Sequence, residues 1–285
     1  MKQLALKILQ VVTRPVRRWG LSRFYPFSLG KLVYQHLVGR LRPEFLMIHG
    51  NRLYLDPIDS LGLVPHKGSY EESTTEILKR TVQKGDVVLD IGASLGYFTL
   101  LAATLVGENG KIFSFEPNPI SLLYLRKSVS ASPYKNIDVI PKAVSDASHA
   151  SMPFYPSDAT SNFYRRLGTS PVEVGTVALD EFFGKKAVVD VIKLDVEGSE
   201  AAATRGMENI LKNNKKVKLI VEFGPSNFRL AGEDPLAYLK TLVDLGFVLY
   251  NVDRGMEVIA PREISEPIDA WTRKHGVKNI FCARR

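Results

Sequence analysis

The sequence predicts an α/β fold: a mostly parallel sheet covered by helices on both faces, ending in an antiparallel pair of strands. Three observations predict it. Apolar runs of strand length alternate with helix-length segments from Val87 to Leu245. Those runs are almost continuously apolar, as strands buried on both faces must be. The alternation then fails at the end of the chain, where Phe247–Asp253 and Lys278–Ala283 read as strands with no good helix between them. Composition agrees, since 45% of the 285 residues are hydrophobic and 24% charged, which excludes a disordered or fibrous chain.

The first element is an arm, Met1 to Pro43, that differs from everything after it. It holds nine basic residues (Lys2, Lys7, Arg14, Arg17, Arg18, Arg23, Lys31, Arg40, Arg42) and no Asp or Glu. The chain has 38 basic and 30 acidic residues, so 29 and 30 remain for residues 44–285, and the net charge of +8 belongs to the arm. Leu4, Ile8 and Val12 recur at helical spacing until Pro15 stops or kinks the helix. Lys7 and Gln10 interrupt the apolar part and no small-residue cleavage site follows, so the segment reads as retained rather than as a signal peptide. Trp19 beside the basic residues suits an interfacial helix on an anionic membrane surface; the alternative is a helical extension packed on the domain. No run of about 18 apolar residues occurs, so no transmembrane helix is expected. The expectation is a cytoplasmic protein, with peripheral membrane attachment open through the arm. The one cysteine, Cys282, allows neither an internal disulfide nor a cysteine-based zinc site.

Residues 44–285 form the predicted domain. "FLMIHGNRLYLDP" reads as a hairpin around Gly50-Asn51, and "EESTTEILKRTVQKG" as a helix with Ile77, Leu78 and Val82 inward and Gly85 as its stop. Strands follow at Val87–Asp90, Lys111–Phe115, Ile137–Ile140, Val189–Leu194 and Val217–Phe223, and helices at Tyr97–Leu105, Ser121–Ser130, Ser199–Asn213 and Pro235–Leu245. Ser145–Phe183, rich in Ser, Pro and Gly, reads as an insertion over the ligand-binding edge of the sheet, with strand-like pieces in "SMPFYP" and "VGTVALD".

The chemistry begins at "DIGASLG", Asp90 to Gly96. In an open parallel sheet ligands bind outside the carboxyl ends of the strands near the switch in strand order. Gly92 lets the chain turn sharply off the first strand, and Gly96 lets a ligand approach the backbone where the next helix begins. Glu116 ends the following strand 20 residues after Gly96, placed to accept hydrogen bonds from the two ribose hydroxyls of an adenosine-like ligand. The glycine spacing is not that of a dinucleotide fingerprint, and no Gly-Lys-Ser/Thr follows for a phosphate loop. Asp90 suits an ammonium rather than phosphates. S-adenosylmethionine has an amino acid head, a ribose and an adenine, and no phosphate. The bland alternative is a plain strand–turn–helix joint, which Glu116 and the Pro117-Asn118 turn after it argue against.

From about Phe45 onward the chain resembles the FkbM-type S-adenosylmethionine-dependent methyltransferases. The resemblance rests on "GSYEESTTEIL", "GDVVLDIGASLGYFT", "SFEPNP", "KAVSD", "VALDEFF", "VDVIKLDVEGSE" and "LIVEF", the last three in that order being the most specific. It implies a Rossmann-like class I methyltransferase fold with a seven-stranded sheet, and methylation of a hydroxyl on a sugar, polyketide or related small molecule. It also implies cofactor contacts from Asp90, Gly92, Ser94, Gly96, Tyr97, Glu116, Asn118 and Asp195. Ala143 to Asp146 resemble the segment passing the adenine, and Tyr70-Glu71 the element that closes over the methionine end. Ser94 departs from the Asn common in the family.

An alcohol is a poor nucleophile at neutral pH, so methyl transfer to oxygen needs a base, a metal or close positioning. Asp195 ends an apolar strand beside the Asp90 strand, and Glu222 ends the next one. Both are catalytic candidates, with His66 third because "VPHKGSYEE" abuts the predicted cofactor lid. Glu197 and Glu200 have an equally good reading as helix caps. Two carboxylates from different strands are a weak metal pattern, and no metal is expected. Lys193 within its strand snorkels or pairs with a neighbouring acid, a structural role. The other histidines (His36, His49, His149, His275) show no paired spacing. Tyr155, Asn162, Tyr164, Arg165 and Arg166 in the insertion suit sugar recognition or a solvated loop.

The expectation is therefore an O-methyltransferase for a sugar, glycan, lipid-linked saccharide or related small molecule, with S-adenosylmethionine as cofactor. Two alternatives stand beside it: a nucleic-acid methyltransferase using the basic, aromatic-bearing arm, and a membrane-surface protein with a cofactor-binding domain. Nucleic acid is the weaker, because residues 44–285 carry no basic excess and the Asn/Asp-Pro-Pro-Tyr/Phe motif of amino-group methylation is absent.

Overall fold

The computed structural model describes residues 43–56, 70–156, 170–184, 186–260 and 279–284. The arm up to residue 42, His66, and Asn162, Tyr164, Arg165 and Arg166 of the insertion lie outside the described residues. Among the described residues the first element is the predicted hairpin, β1 (Phe45–Ile48) and β2 (Asn51–Tyr54), turning at His49-Gly50. Helix α1 (Glu72–Thr81) buries Ile77 and Leu78. Then come β3 (Val87–Ile91), α2 (Tyr97–Val106), β4 (Lys111–Phe115), α3 (Pro119–Ser130) and β5 (Ile137–Ile140).

The insertion adds two strands to one that precedes it, making a separate three-stranded sheet. Its strands are β6 (Lys142–Val144), β7 (Met152–Phe154) and β8 (Val172–Val177), in the order β6-β8-β7, with the short helix α4 (Leu179–Phe183) behind. The main sheet resumes with β9 (Val191–Leu194), then α5 (Glu200–Arg205), α6 (Glu208–Asn213), β10 (Lys218–Glu222), α7 (Pro225–Leu230) and α8 (Pro235–Asp244). Strands β11 (Val248–Asn251), β12 (Glu257–Ile259) and β13 (Asn279–Ala283) end it. The eight-stranded order is β12-β11-β13-β10-β9-β3-β4-β5, parallel from β5 to β10 and antiparallel beyond. All seven predicted strands are in it, and β12 adds a short eighth at the edge.

Each central strand is apolar on both faces because each faces two cores. Val88, Val191 and Ile220 join a core with α1, α2 and the hairpin residue Leu53. Their neighbours Leu89, Ile192 and Val221 join the opposite core with Leu211, Phe228 and Leu242. This is the period-two alternation of a strand buried on both sides. Asp90 and Lys193 fall in step with Val88 and Val191, so both side chains enter the α2 side of the sheet.

The expected helix Ser199–Asn213 is broken in two, and tertiary contact is the reason. Gly206 packs so tightly on the loop after β6 that an added Cβ would lie 1.9 Å from the Ser145 carbonyl oxygen. Asp180 of α4 then accepts hydrogen bonds from the backbone N–H groups of Asn209 (2.9 Å) and Ile210 (2.9 Å), so a second helix starts there. Among the described residues no helix is long and apolar enough to cross a membrane.

Candidate active site

The chain runs β3, β4, β5 outward and then returns to β9 on the other side of β3. Strand order therefore reverses between β3 and β9, and the crevice at their carboxyl ends is where ligands of such sheets bind. The two loops bounding it nearly touch. An added Cβ at Gly92 (φ +80°) would lie 1.8 Å from the carbonyl oxygen of Asp195, so only glycine permits the approach. Gly96 (φ +97°) also holds a left-handed backbone that side chains rarely adopt, and a Cβ there would come within 2.7 Å of the flexible end of Leu125, its Cδ1.

Between the glycines, Ser94 is exposed and left-handed (φ 49°), a conformation Asn tolerates better than most residues. Its backbone N–H donates to Glu116 Oε2 at 2.7 Å, and Asn118 N–H donates to Glu116 Oε1 at 2.8 Å. Glu116 is buried, and burial pushes its pKa up to about 7 although both N–H groups oppose the shift. Asp90 is also buried. Its Oδ2 accepts from the Thr99 hydroxyl at 2.6 Å, and Thr99 reaches Ser114 at 2.8 Å. Asp90 Oδ1 has no partner. Burial raises this carboxyl against the pull of Lys193 and Thr99.

The donor set fits S-adenosylmethionine. An orphaned buried acceptor at a strand end matches an ammonium donor. Each Glu116 oxygen, carrying one backbone bond, keeps a second lone pair for a ribose hydroxyl. Glycine-permitted backbone lies between the two acids.

Across the crevice, four acids and a lysine meet. Lys193 is buried, and its ammonium lies 2.8 Å from Asp195 Oδ2 and 5.0 Å from the centroid of the Phe98 ring. Burial would discharge Lys193, but Asp195, Asp90 and Glu71 together hold its pKa above the ordinary value. Burial would likewise raise Asp195, yet the Lys193 charge and hydrogen bonds from Glu222 and Lys193 keep it below the usual carboxylate range. Glu222 moves the other way: burial, the Asp195 charge and their shared hydrogen bond hold its proton well above that range. The two carboxyls share a hydrogen bond and titrate as a pair, with Asp195 the more acidic member. Glu71, left-handed before α1 (φ 41°), is raised by burial against the Lys193 charge, and Tyr70 hydrogen-bonds to it.

Several expected residues also have partners within the fold. Asn118 Oδ1 accepts from Ile120 N–H at 3.0 Å and caps α3, with Pro119 following. Tyr97 is buried in an aromatic cluster, its ring 5.2 Å from Tyr70 and 5.1 Å from Phe98 between centroids. Ala143 is buried in β6, paired with Thr176 of β8. Glu200 is buried and accepts the N–H groups of Gly198 (2.9 Å) and Val196 (3.1 Å), closing the turn that starts α5; burial takes its pKa up to about 7. Sequence reasoning missed Thr99 and Asn227, whose amide donates to Glu197 Oε2 at 2.7 Å. Thr99, on the first turn of α2 below Asp90, could have been found from its helical spacing. Asn227 lies on α7, which the sequence reading did not predict.

A sequence profile of the family described as the methyltransferase FkbM domain matches residues 90–249. The chain is also 28% identical over 176 residues to the hexuronic acid methyltransferase AglP of Haloferax volcanii, a match covering 60% of this chain and 67% of that protein. It is 31% identical over 94 residues to a protein-L-isoaspartate O-methyltransferase of Ignicoccus hospitalis, covering 33% of this chain and 41% of that one. Among solved structures, a putative rRNA methylase of Clostridium thermocellum aligns with TM-score 0.46 and 15% identity over 77% of this chain and 96% of its own.

Proposed function

Because the chain belongs to the FkbM family of S-adenosylmethionine-dependent methyltransferases, we propose that it methylates a hydroxyl of a sugar, glycan, lipid-linked saccharide or related small molecule. One observation carries the reading: Asp195, held ionised by Lys193 at 2.8 Å, stands at the strand end next to the Asp90 loop. Similarity to a hexuronic acid methyltransferase supports a sugar-type acceptor.

When bound, S-adenosylmethionine supplies an electrophilic methyl group. The chain's residues do the rest. Glu116 accepts the ribose hydroxyls and Asp90 Oδ1 accepts from the ammonium. Asp195 would take a hydrogen bond from the acceptor hydroxyl, orient its oxygen, and receive its proton when the methyl group leaves sulfur for that oxygen. A carboxylate this weakly basic is a modest base, so alignment does most of the work, and well-oriented reactants can gain about 7–11 kcal/mol.

The test is transfer from methyl-labelled cofactor to crude glycan, lipid and RNA fractions. Label should enter glycan or saccharide-bearing lipid at hydroxyl oxygens. Label confined to RNA would replace this reading with the nucleic-acid one.

A further inference from the structure

We propose that Lys193 is the resident cation of the acceptor side of the site: its ammonium, paired with Asp195 beside Glu222 and Glu197, takes the place of the divalent metal that three converging carboxyl groups would otherwise hold, and it positions Asp195 for the acceptor. The three acids offer oxygens that all lie within 4.8 Å of one another, spacing that a hard, oxygen-seeking ion could bridge. Here those acids already have partners. Asp195 Oδ2 accepts from Lys193 at 2.8 Å, Glu222 shares a hydrogen bond with Asp195, and Glu197 Oε2 accepts from the Asn227 amide at 2.7 Å.

The ammonium cannot withdraw to make room. Lys193 is in β9, paired in register with Asp90 of β3 on one side and Ile220 of β10 on the other, and its charge rests against the Phe98 ring. Its side chain is 6% exposed, so little water screens it. A metal bound to Asp195 would lie a few ångströms from a fixed positive charge. Asp90 and Glu71 add negative potential around the ammonium, and the raised affinity of Lys193 for its proton agrees. With one oxygen anchored, the Asp195 carboxylate is fixed in rotation and charge without a metal ion.

The effect on turnover rests on the reading of Asp195 above; the exclusion of metal does not. Manganese titrations followed by electron paramagnetic resonance, on full-length protein stripped with chelator, test the latter. Wild type should bind Mn²⁺ no more tightly than the Asp195→Asn variant. Lys193→Met should gain a site at least about tenfold tighter than wild type, and Glu222→Gln placed on top of it should abolish that site. Tight wild-type binding that is lost in Glu222→Gln overturns the proposal, and this arm stands even if Lys193→Met does not fold. A folded Lys193→Met protein, checked by melting and cofactor affinity, that gains no site also overturns it. For positioning, Lys193→Met should lower kcat with unchanged cofactor affinity, and Mn²⁺ should restore part of the loss. If Lys193→Met gains the metal site while Asp195→Asn turns over normally, the cation assignment stands and the role given to Asp195 falls.

Discussion

Glu116 and Asp195 are two carboxylates at the ends of the parallel strands β4 and β9, separated only by β3, and they are held by different means. Both oxygens of Glu116 accept from backbone N–H groups, of Ser94 and Asn118. Asp195 is held by side chains, the ammonium of Lys193 and the carboxyl of Glu222. Backbone donors cannot titrate or be substituted, so the state of Glu116 follows from burial against a fixed set of N–H dipoles. The state of Asp195 follows from where its neighbours keep their protons. The first arrangement suits a ligand of constant shape, the second a group that must handle a proton.

The sharpest way to break that comparison is Asp195→Asn. The amide keeps the shape and can still accept from Lys193, but it loses charge and basicity. Turnover with the labelled acceptor fraction should fall by about 10²–10⁴-fold, with cofactor affinity little changed. Turnover near wild type would make Asp195 a strand-end partner of Lys193 and move the chemistry to Glu222. Melting temperatures should accompany the assay, because removing one member of a buried ion pair can itself be strongly destabilising.

The two sides were not equally legible in the sequence. Asp90, Glu116, Asp195 and Glu222 each end an apolar run, and a parallel sheet brings all such ends to one edge. What the sequence hid depends on register and long-range contact. Lys193 reads as a strand residue with an acid nearby, and only pairing with Asp90 and packing on Phe98 show that its charge is trapped. Gly96 reads as a ligand-approach glycine, and only the structure adds its left-handed φ of +97° and the nearby Leu125 of α3. Helical periodicity continues through Gly206, and only the Ser145 carbonyl and the Asp180 cap interrupt it. Asn118 was legible: Asn followed by Pro before an apolar run is a helix start, and its signal was absorbed into the cofactor motif beside it.

The Glu116 side yields a smaller effect with a pH signature. In Glu116→Gln, the amide NH₂ would face one of two backbone N–H donors and the charge would vanish, so cofactor affinity should drop by about tenfold or more, 1.5–3 kcal/mol. In wild type the raised pKa of about 7 fixes the sign. An acid whose folded pKa exceeds its unfolded value gives the apo fold stability below the unfolded pKa, lost as pH rises through the folded one. Cofactor affinity runs oppositely, because ribose hydroxyls donate to the ionised form: it should weaken by up to about tenfold from pH 8 to pH 6. Calorimetry across that range in wild type and Glu116→Gln is the check. Glu200 titrates in the same window, so a pH dependence that persists in the variant would assign it elsewhere.

The smallest expected effect sharpens the comparison at its backbone end. Ser94 holds φ 49° while its N–H donates to Glu116. Only the backbone at this position is used, and the side chain is exposed, so a residue that adopts the left-handed conformation more readily should relieve strain without touching the hydrogen bond. Asn is such a residue. Ser94→Asn should therefore raise the melting temperature slightly, by no more than about 0.5 kcal/mol of stability, and leave cofactor affinity and its pH dependence where they were. Ser94→Val should do the reverse, since a β-branched side chain at positive φ is an outlier, and by loosening the loop it should weaken cofactor binding as well. If Ser94→Asn instead shifted the pH dependence of binding, the side chain at 94 would be reaching Glu116 or the ligand. The Glu116 side would then depend on side chains after all, as the Asp195 side does.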